Sequence, residues 1–392
     1  MPETVRDRTV AWTAGGLGAL VLAFLAPIGL ASAEAVGLAE IAAGGRRPFA
    51  EAMPLPDLLA RFAALIPVGH LGMRAHLVAV LAGVLVLALM APRTAETIEA
   101  GPAWGWAGAL GLLALSRPFL DAATVHPAVA VDLALFVAAT RLAAAVHTNA
   151  ARSRAGLTLA FLCGLASGGG WPVRIALWPM GLLLALRALR LGHRWPLWAP
   201  ALFGAGWLPL VGSALASEPA PTITQLFARI FAMPAGVAAS AAVPGVAIAV
   251  GEDLGVLAML VAALGLWTLI KRPGPVLSVS VMMWLCLVVA AAFAGTRGLA
   301  HVAAVAALAA PVAAGVGALS QVFGRARGAV ALVVAVIVVV PAAWAGVGGA
   351  LAAPGRRAPG AIARRLDAAV GARGNPVRVA PAAAADAAYT AR

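Results

Sequence analysis

The sequence predicts an all-α, polytopic integral membrane protein with about eleven transmembrane helices. Three observations predict it. The chain of 392 residues is 62% hydrophobic and only 11% charged, whereas an ordinary soluble domain carries about 25% charged residues. Its mean hydropathy is +0.96. The apolar residues also gather in runs of the ~17–25 residues that a helix needs to cross the ~30 Å hydrocarbon layer. Backbone groups in lipid must be paired within the segment, so such runs read as helices.

In chain order the predicted spans are 10–32, 73–91, 103–119, 124–146, 155–171, 173–187, 195–216, 253–270, 276–294, 298–319 and 328–352. The third and the sixth are short. The stretch 231–250, "FAMPAGVAASAAVPGVAIAV", is apolar but interrupted by Pro234 and Pro244, and reads as a re-entrant or interfacial segment. The membrane domain therefore covers 1–352. Residues 1–33 also carry the elements of a secretory signal, with a basic start, an apolar middle and "ASA" before Glu34. The apolar run exceeds the 7–15 residues usual for a signal core, so an uncleaved first span is expected.

Arginines set the orientation. With the N-terminus cytoplasmic, the inside loops hold Arg6 and Arg8, Arg93, Arg152 and Arg154, Arg187, Arg190 and Arg194, Lys271 and Arg272, and Arg325 and Arg327. The short outside turns hold little beyond Arg117, Arg174 and Arg297. This alternation is the positive-inside pattern and predicts a multi-pass protein of the bacterial inner (plasma) membrane. It also accounts for the net charge of +13. The basic residues form no aromatic-interleaved face and no nucleic-acid motif, so no nucleic-acid partner is expected. Cys163 and Cys286 lie inside apolar runs and read as small buried hydrophobes.

Two outside regions are long, 33–72 and 217–252. Each contains a segment with apolar residues at helical spacing, "LPDLLARFAALI" from Leu55 and "ITQLFARIFAM" from Ile223, and each such segment reads as a helix lying on the membrane surface. The tail 353–392 carries seven arginines against two aspartates and is rich in Ala, Pro and Gly. It is expected to be periplasmic and mostly disordered.

The residues with chemical potential cluster toward the predicted outer face. Glu34 and Glu40 stand where the first span ends. They are six residues apart, about 600° of helical rotation, so they share no face and form no carboxylate pair. One of them facing a cavity would serve as a base or as a ligand for a divalent ion holding phosphate. Asp132 and Arg141 lie within the fourth span, where an ionisable side chain is costly and marks a functional candidate. Arg141 has a simple alternative in snorkelling. His126 stands at the outer end of the same span. "SGGGWP", Ser167 to Pro172, is a glycine-rich outer turn without the Lys and Ser/Thr of a phosphate loop, and reads as a tight turn. Arg174 beside it is placed to meet a lipid phosphate. His70, His76 and His301 fit no metal-ligand spacing, and no metal site is assigned.

From Ala31 to Ala91 the chain carries "ASAE", then "MPLPDLLARFAALIPVG" from Met53, then "RAHL" from Arg74 at the start of the second span. In order and approximate spacing these resemble the DUF2723 family of membrane glycosyltransferases, which are protein O-mannosyltransferase-like and of the C-type fold. A weaker echo continues through "SRPFLDAATVHP" and "FLCGLASGGGW". The resemblance implies a C-type membrane core and transfer of a sugar from a polyprenyl-phosphate donor at the outer face. It marks Glu34 as base or metal ligand, and Arg46, Arg47 and Arg174 as phosphate partners. Asp132 and His126 are further substrate-binding candidates. The family pattern is altered here. Its leading aspartate is Ala31, its Glu-Val-Tyr falls near His126 to Ala128, and its Asn-His-His falls near Gly169 to Trp171. Such losses also fit a non-catalytic membrane subunit that binds membrane lipids and other membrane proteins. A transporter using Asp132 as coupling carboxylate is a third reading.

Overall fold

The structure, a computed structural model, describes residues 13, 16–26, 38, 39, 41, 49, 52–66, 71–91, 103–217, 220–231, 239–271, 275–294, 296–323 and 326–352. All regular structure among them is helical. The elements are α1 Gly16–Leu25, α2 Pro54–Ala64, α3 Leu71–Met90, α4 Ala103–Leu115, α5 Arg117–Thr124, α6 Pro127–Thr148, α7 Ser153–Leu165 and α8 Trp171–Arg190. They continue with α9 Ala199–Ala205, α10 Leu208–Ala216, α11 Ile223–Phe231, α12 Ala239–Lys271, α13 Pro275–Phe293, α14 Arg297–Ala307, α15 Ala309–Gln321 and α16 Arg327–Ala352. The tail 353–392 lies outside the described residues.

Six helical stretches are long and apolar enough to cross a membrane: Pro127–Thr148, Trp171–Arg190, Ala199–Ala216, Pro244–Lys271, Gly298–Gln321 and Gly328–Leu351. Shorter apolar helices occupy Gly16–Leu25, His76–Met90, Trp104–Leu115 and Val279–Phe293. The sequence-predicted span at 155–171 departs from expectation, because α7 ends at Leu165 and passes into a single 3₁₀ turn, Ala166–Gly168. The three consecutive glycines Gly168 to Gly170, the first of them closing that turn, disfavour helix through their backbone freedom. Within the ambiguous 231–250 region, residues 232–238 lie outside the described residues. From Ala239 it is helical and runs into the next span as α12, whose interior contains a non-helical residue, Gly255, at φ 78°.

Helices α6 and α14–α15 form the centre, with 67% of their apolar windows buried, whereas the window in α16 is 28% buried. The outer helices instead present Val333, Ile337, Val340 and Trp344 of α16 and Leu257, Leu260 and Trp267 of α12 at the surface. A water-facing surface would not expose such a belt. Packing within the bundle relies on small residues. A Cβ on Gly265 of α12 would fall 1.7 Å from Pro311 O, and one on Gly315 of α15 would fall 2.0 Å from Val261 O. These glycines let two backbones touch, the means by which helices associate where lipid offers no hydrophobic drive. Phe136 of α6 packs edge-on against Trp284 of α13, with ring centroids 4.8 Å apart.

Helix α2 is inverted relative to a water-facing amphipathic helix. Phe62, Leu65 and Ile66 are exposed, while Asp57, Ala60 and Ala63 are buried. Helix α11 likewise exposes Ile223, Phe227 and Phe231 and buries Ile230. Both segments are helical, as expected from sequence, and each turns apolar side chains outward.

A candidate site beneath the surface helices

Asp132 sits in the second turn of α6. Its Oδ2 accepts the Gly170 backbone N–H at 2.9 Å. A Cβ on Gly169 would stand 2.5 Å from Asp132 Oδ1, and one on Gly170 would stand 2.7 Å from Oδ2. The glycine-rich turn is therefore moulded around this carboxylate. An acid in an apolar bundle needs hydrogen bonds to offset its desolvation, and a turn without side chains brings backbone N–H groups close enough to supply them.

The same turn opens α8, and Arg174 lies in the first turn of that helix, buried. Its Nη1 donates to Arg229 O at 2.6 Å and to Ile230 O at 2.5 Å. These are among the last carbonyls of α11, which have no partner within their own helix. Arg174 thus caps α11 and pins it to the bundle, within electrostatic reach of both Asp132 and Arg229. Arg229 extends the chain of contacts. Its Nη1 donates to Phe49 O at 2.7 Å, its Nη2 donates to Ala52 O, and its guanidinium lies 5.1 Å over the Phe49 ring. Burial pushes the Arg229 guanidinium below its ordinary pKa, and the nearby Asp57 carboxylate opposes that shift. Asp57 Oδ2 in turn accepts the Met53 N–H at 2.9 Å and closes the start of α2.

Asp132, Arg174, Arg229 and Asp57 therefore form one continuous polar array that fastens α11 and α2 onto α6 and α8. Beside it a crevice of about 320 Å³ opens between α2 and α10. Asp57, Arg61 and Leu58 line one wall, and Leu208, Pro209, Ser213 and Ser217 line the other. Pro54, also in the lining, contacts the glycine turn, since a Cβ on Gly168 would lie 3.2 Å from Pro54 Cβ. Among the described residues, the buried Ser167 Oγ and Arg174 Nε have no hydrogen-bond partner.

Of the residues singled out in the sequence, Asp132 and Arg174 are brought together. His126 precedes α6, where its backbone N–H donates to Asp121 O at 3.2 Å. Glu34, Glu40, Arg46, Arg47 and His70 lie outside the described residues. Arg141 reaches across to α3 and donates to Leu89 O and Ala91 O, so it caps a helix end rather than snorkelling. Sequence reasoning missed Asp57 and Arg229, which look like the polar positions of surface helices. It also missed the pairing of His301 Nε2 with Asp253 Oδ2 at 3.0 Å, which ties α14 to α12. Among the described residues no three His, Cys, Asp or Glu side chains are grouped to hold a metal ion. No known protein family, curated protein or solved structure matches this chain.

Proposed function

We propose that this chain is a membrane glycosyltransferase with a C-type core, which moves a sugar from a polyprenyl-phosphate donor to an acceptor hydroxyl at the outer face of the bacterial plasma membrane, and that the crevice between α2 and α10 holds the reacting groups. One observation carries the reading: a carboxylate, a guanidinium and two hydroxyls, from Asp57, Arg61, Ser213 and Ser217, are set in apolar walls beneath a lipid-facing helix. A lipid-borne sugar phosphate needs that combination, with apolar surface for its chain, positive charge for its phosphate and hydrogen-bond partners for its sugar. The volume falls at the lower end of the ~300–1,000 Å³ usual for ligand pockets.

In the proposed reaction the acceptor hydroxyl attacks the anomeric carbon of the donor sugar. The bond from that carbon to the phosphate oxygen breaks, and polyprenyl phosphate leaves with the electron pair. The acceptor proton passes to a carboxylate, and Arg61 stabilises the charge on the departing phosphate. Two carboxylates compete for the role of base: Glu34, through the acidic motif of the resemblance, and Asp57, through its place in the crevice wall. Removing a general base costs a factor of ~10²–10⁴ in rate. Glu34→Gln, Asp57→Asn and Arg61→Gln are compared for lipid-linked sugar consumption in membranes of a deletion strain, normalised to protein level. The variant lacking the base is expected to lose that factor, and Arg61→Gln to weaken use of the donor. Wild-type output from all three, alongside a glycan defect on deletion, would overturn the enzymatic reading.

A second reading is favoured by the polar array itself. Asp132 and Arg174 hold backbone N–H and carbonyl groups. Side chains used in that way support a C-type scaffold retained as a non-catalytic subunit for another membrane protein.

A further inference from the structure

Between Leu133 and Ser217 the chain contains no Asp or Glu and seven arginines. Two of these hold backbone carbonyls, Arg141 at the end of α3 and Arg174 at the end of α11. The other five, Arg152, Arg154, Arg187, Arg190 and Arg194, are all exposed. Arg152 and Arg154 lie where the turn after α6 enters α7, and Arg187, Arg190 and Arg194 lie on the last turn of α8 and the turn that follows it. The fold locks these turns together. Arg187 Nη1 donates to His147 O at 3.0 Å and meets His147 Nδ1 at 2.9 Å. Trp195 is buried, and its indole N–H donates to Ala150 O at 2.9 Å. Its ring lies on the backbone of α7, where a Cβ on Gly156 would come within 2.6 Å.

On the α7 side of this patch the charges are placed against local electrostatics as well as against one another, whereas Arg187 and Arg190 stand at the cation-favouring end of α8. Arg152 is the N-cap of α7 and makes no side-chain capping bond, and Arg154 lies in the first turn. The start of a helix carries positive partial charge and normally attracts acids. Here two guanidiniums stand there, and no acid of the same stretch neutralises them. Exposed Leu191, Leu197 and Trp198 flank the arginines. A soluble anion would satisfy the charges and leave these apolar side chains in water. A phospholipid satisfies both.

We propose that this arginine-rich end is a binding site for anionic phospholipid, with the headgroup phosphates on Arg152, Arg154, Arg190 and Arg194 and the acyl chains against Leu191, Leu197 and Trp198. The spread of charge over two fastened turns fits a headgroup with two phosphates better than one with a single phosphate. The site is separate from the crevice between α2 and α10, and the inference stands whether or not the chain transfers sugar.

The test uses the full purified chain in mixed micelles, with native mass spectrometry reading the lipid retained. The wild type is expected to retain a two-phosphate phospholipid over a single-phosphate anionic lipid, and both over a zwitterionic one. Arg187 is left intact because it holds His147. Arg152→Gln with Arg154→Gln, and separately Arg190→Gln with Arg194→Gln, should each lower affinity for the two-phosphate lipid about 30-fold. Retention of the zwitterionic lipid and thermal stability should stay unchanged, which separates loss of the site from loss of the fold. Equal retention of all headgroups by the wild type would overturn the proposal, as would an unaltered preference in both double variants. Binding of inorganic pyrophosphate or a short duplex nucleic acid with the same affinity as the lipid would overturn it too, by assigning the patch to a soluble polyanion.

Discussion

Asp132 and the two glycines that face it form a unit in which each residue explains the others. The carboxylate is tolerated because the turn brings a backbone N–H to it, and the turn lacks side chains because the carboxylate occupies the space they would fill. Gly170→Ala should therefore push a methyl into Asp132 Oδ2, 2.7 Å away, and cost about 1–3 kcal/mol, the usual range for overpacking. Combining it with Asp132→Ala should cost less than the sum of the two changes. Thermal unfolding in detergent measures both, and strict additivity would show that the residues do not meet. Each half of this unit was legible in the sequence, as an acid in an apolar run and as a run of glycines between spans. Their meeting was not, because helical periodicity assigns a residue to a face and says nothing about which face another helix presents. Asp57 and Arg229 escaped for a related reason: a polar residue on a surface helix ordinarily faces water, and these two face the bundle because the apolar side of each helix is turned outward.

At the level of elements, α12 shows where reading by hydropathy stops. Pro234 and Pro244 suggest a broken segment in the sequence; Pro234 lies outside the described residues, Pro244 falls inside the helix that starts at Ala239, and the chain leaves helical geometry at Gly255, where two helical segments meet. Pro244 is the sixth residue of this helix, where its missing N–H leaves one ladder bond unmade. Gly255 adopts φ 78° and ψ 161°, a region open almost only to glycine, which costs other residues about 1–3 kcal/mol. Gly255→Ala should destabilise the protein by that amount. Gly251→Ala, four residues earlier in open space with ordinary helical backbone, should instead stabilise by about 0.5–1 kcal/mol. Equal effects at the two positions, read by thermal or denaturant unfolding, would argue against a kink at Gly255.

For the whole molecule, the hydrogen bonds that join the 147–154 turn to the 187–195 turn require both to lie on one side of the membrane. Reporter fusions after Arg154, Arg190 and Arg325 should read cytoplasmic, and fusions after Arg46, Glu218 and Arg392 should read periplasmic. Opposite readings at Arg154 and Arg190 would contradict the packing of α6, α7 and α8, while a cytoplasmic reading at Arg392 would change the number of crossings. The apolar character of the chain was plain from composition, but the number of crossings was not, because hydropathy treats a short buried helix such as α4 like a spanning one. The contact between Arg229 and Phe49 has a consequence in time. The two residues are 180 positions apart, and a ribosome adds residues at about 5–20 per second. The segment leading into α2 therefore emerges about 10–40 s before the guanidinium that will fasten it exists, and until then the helix is fastened from its other end, where Arg74 Nη1 donates to Ala64 O at 2.7 Å.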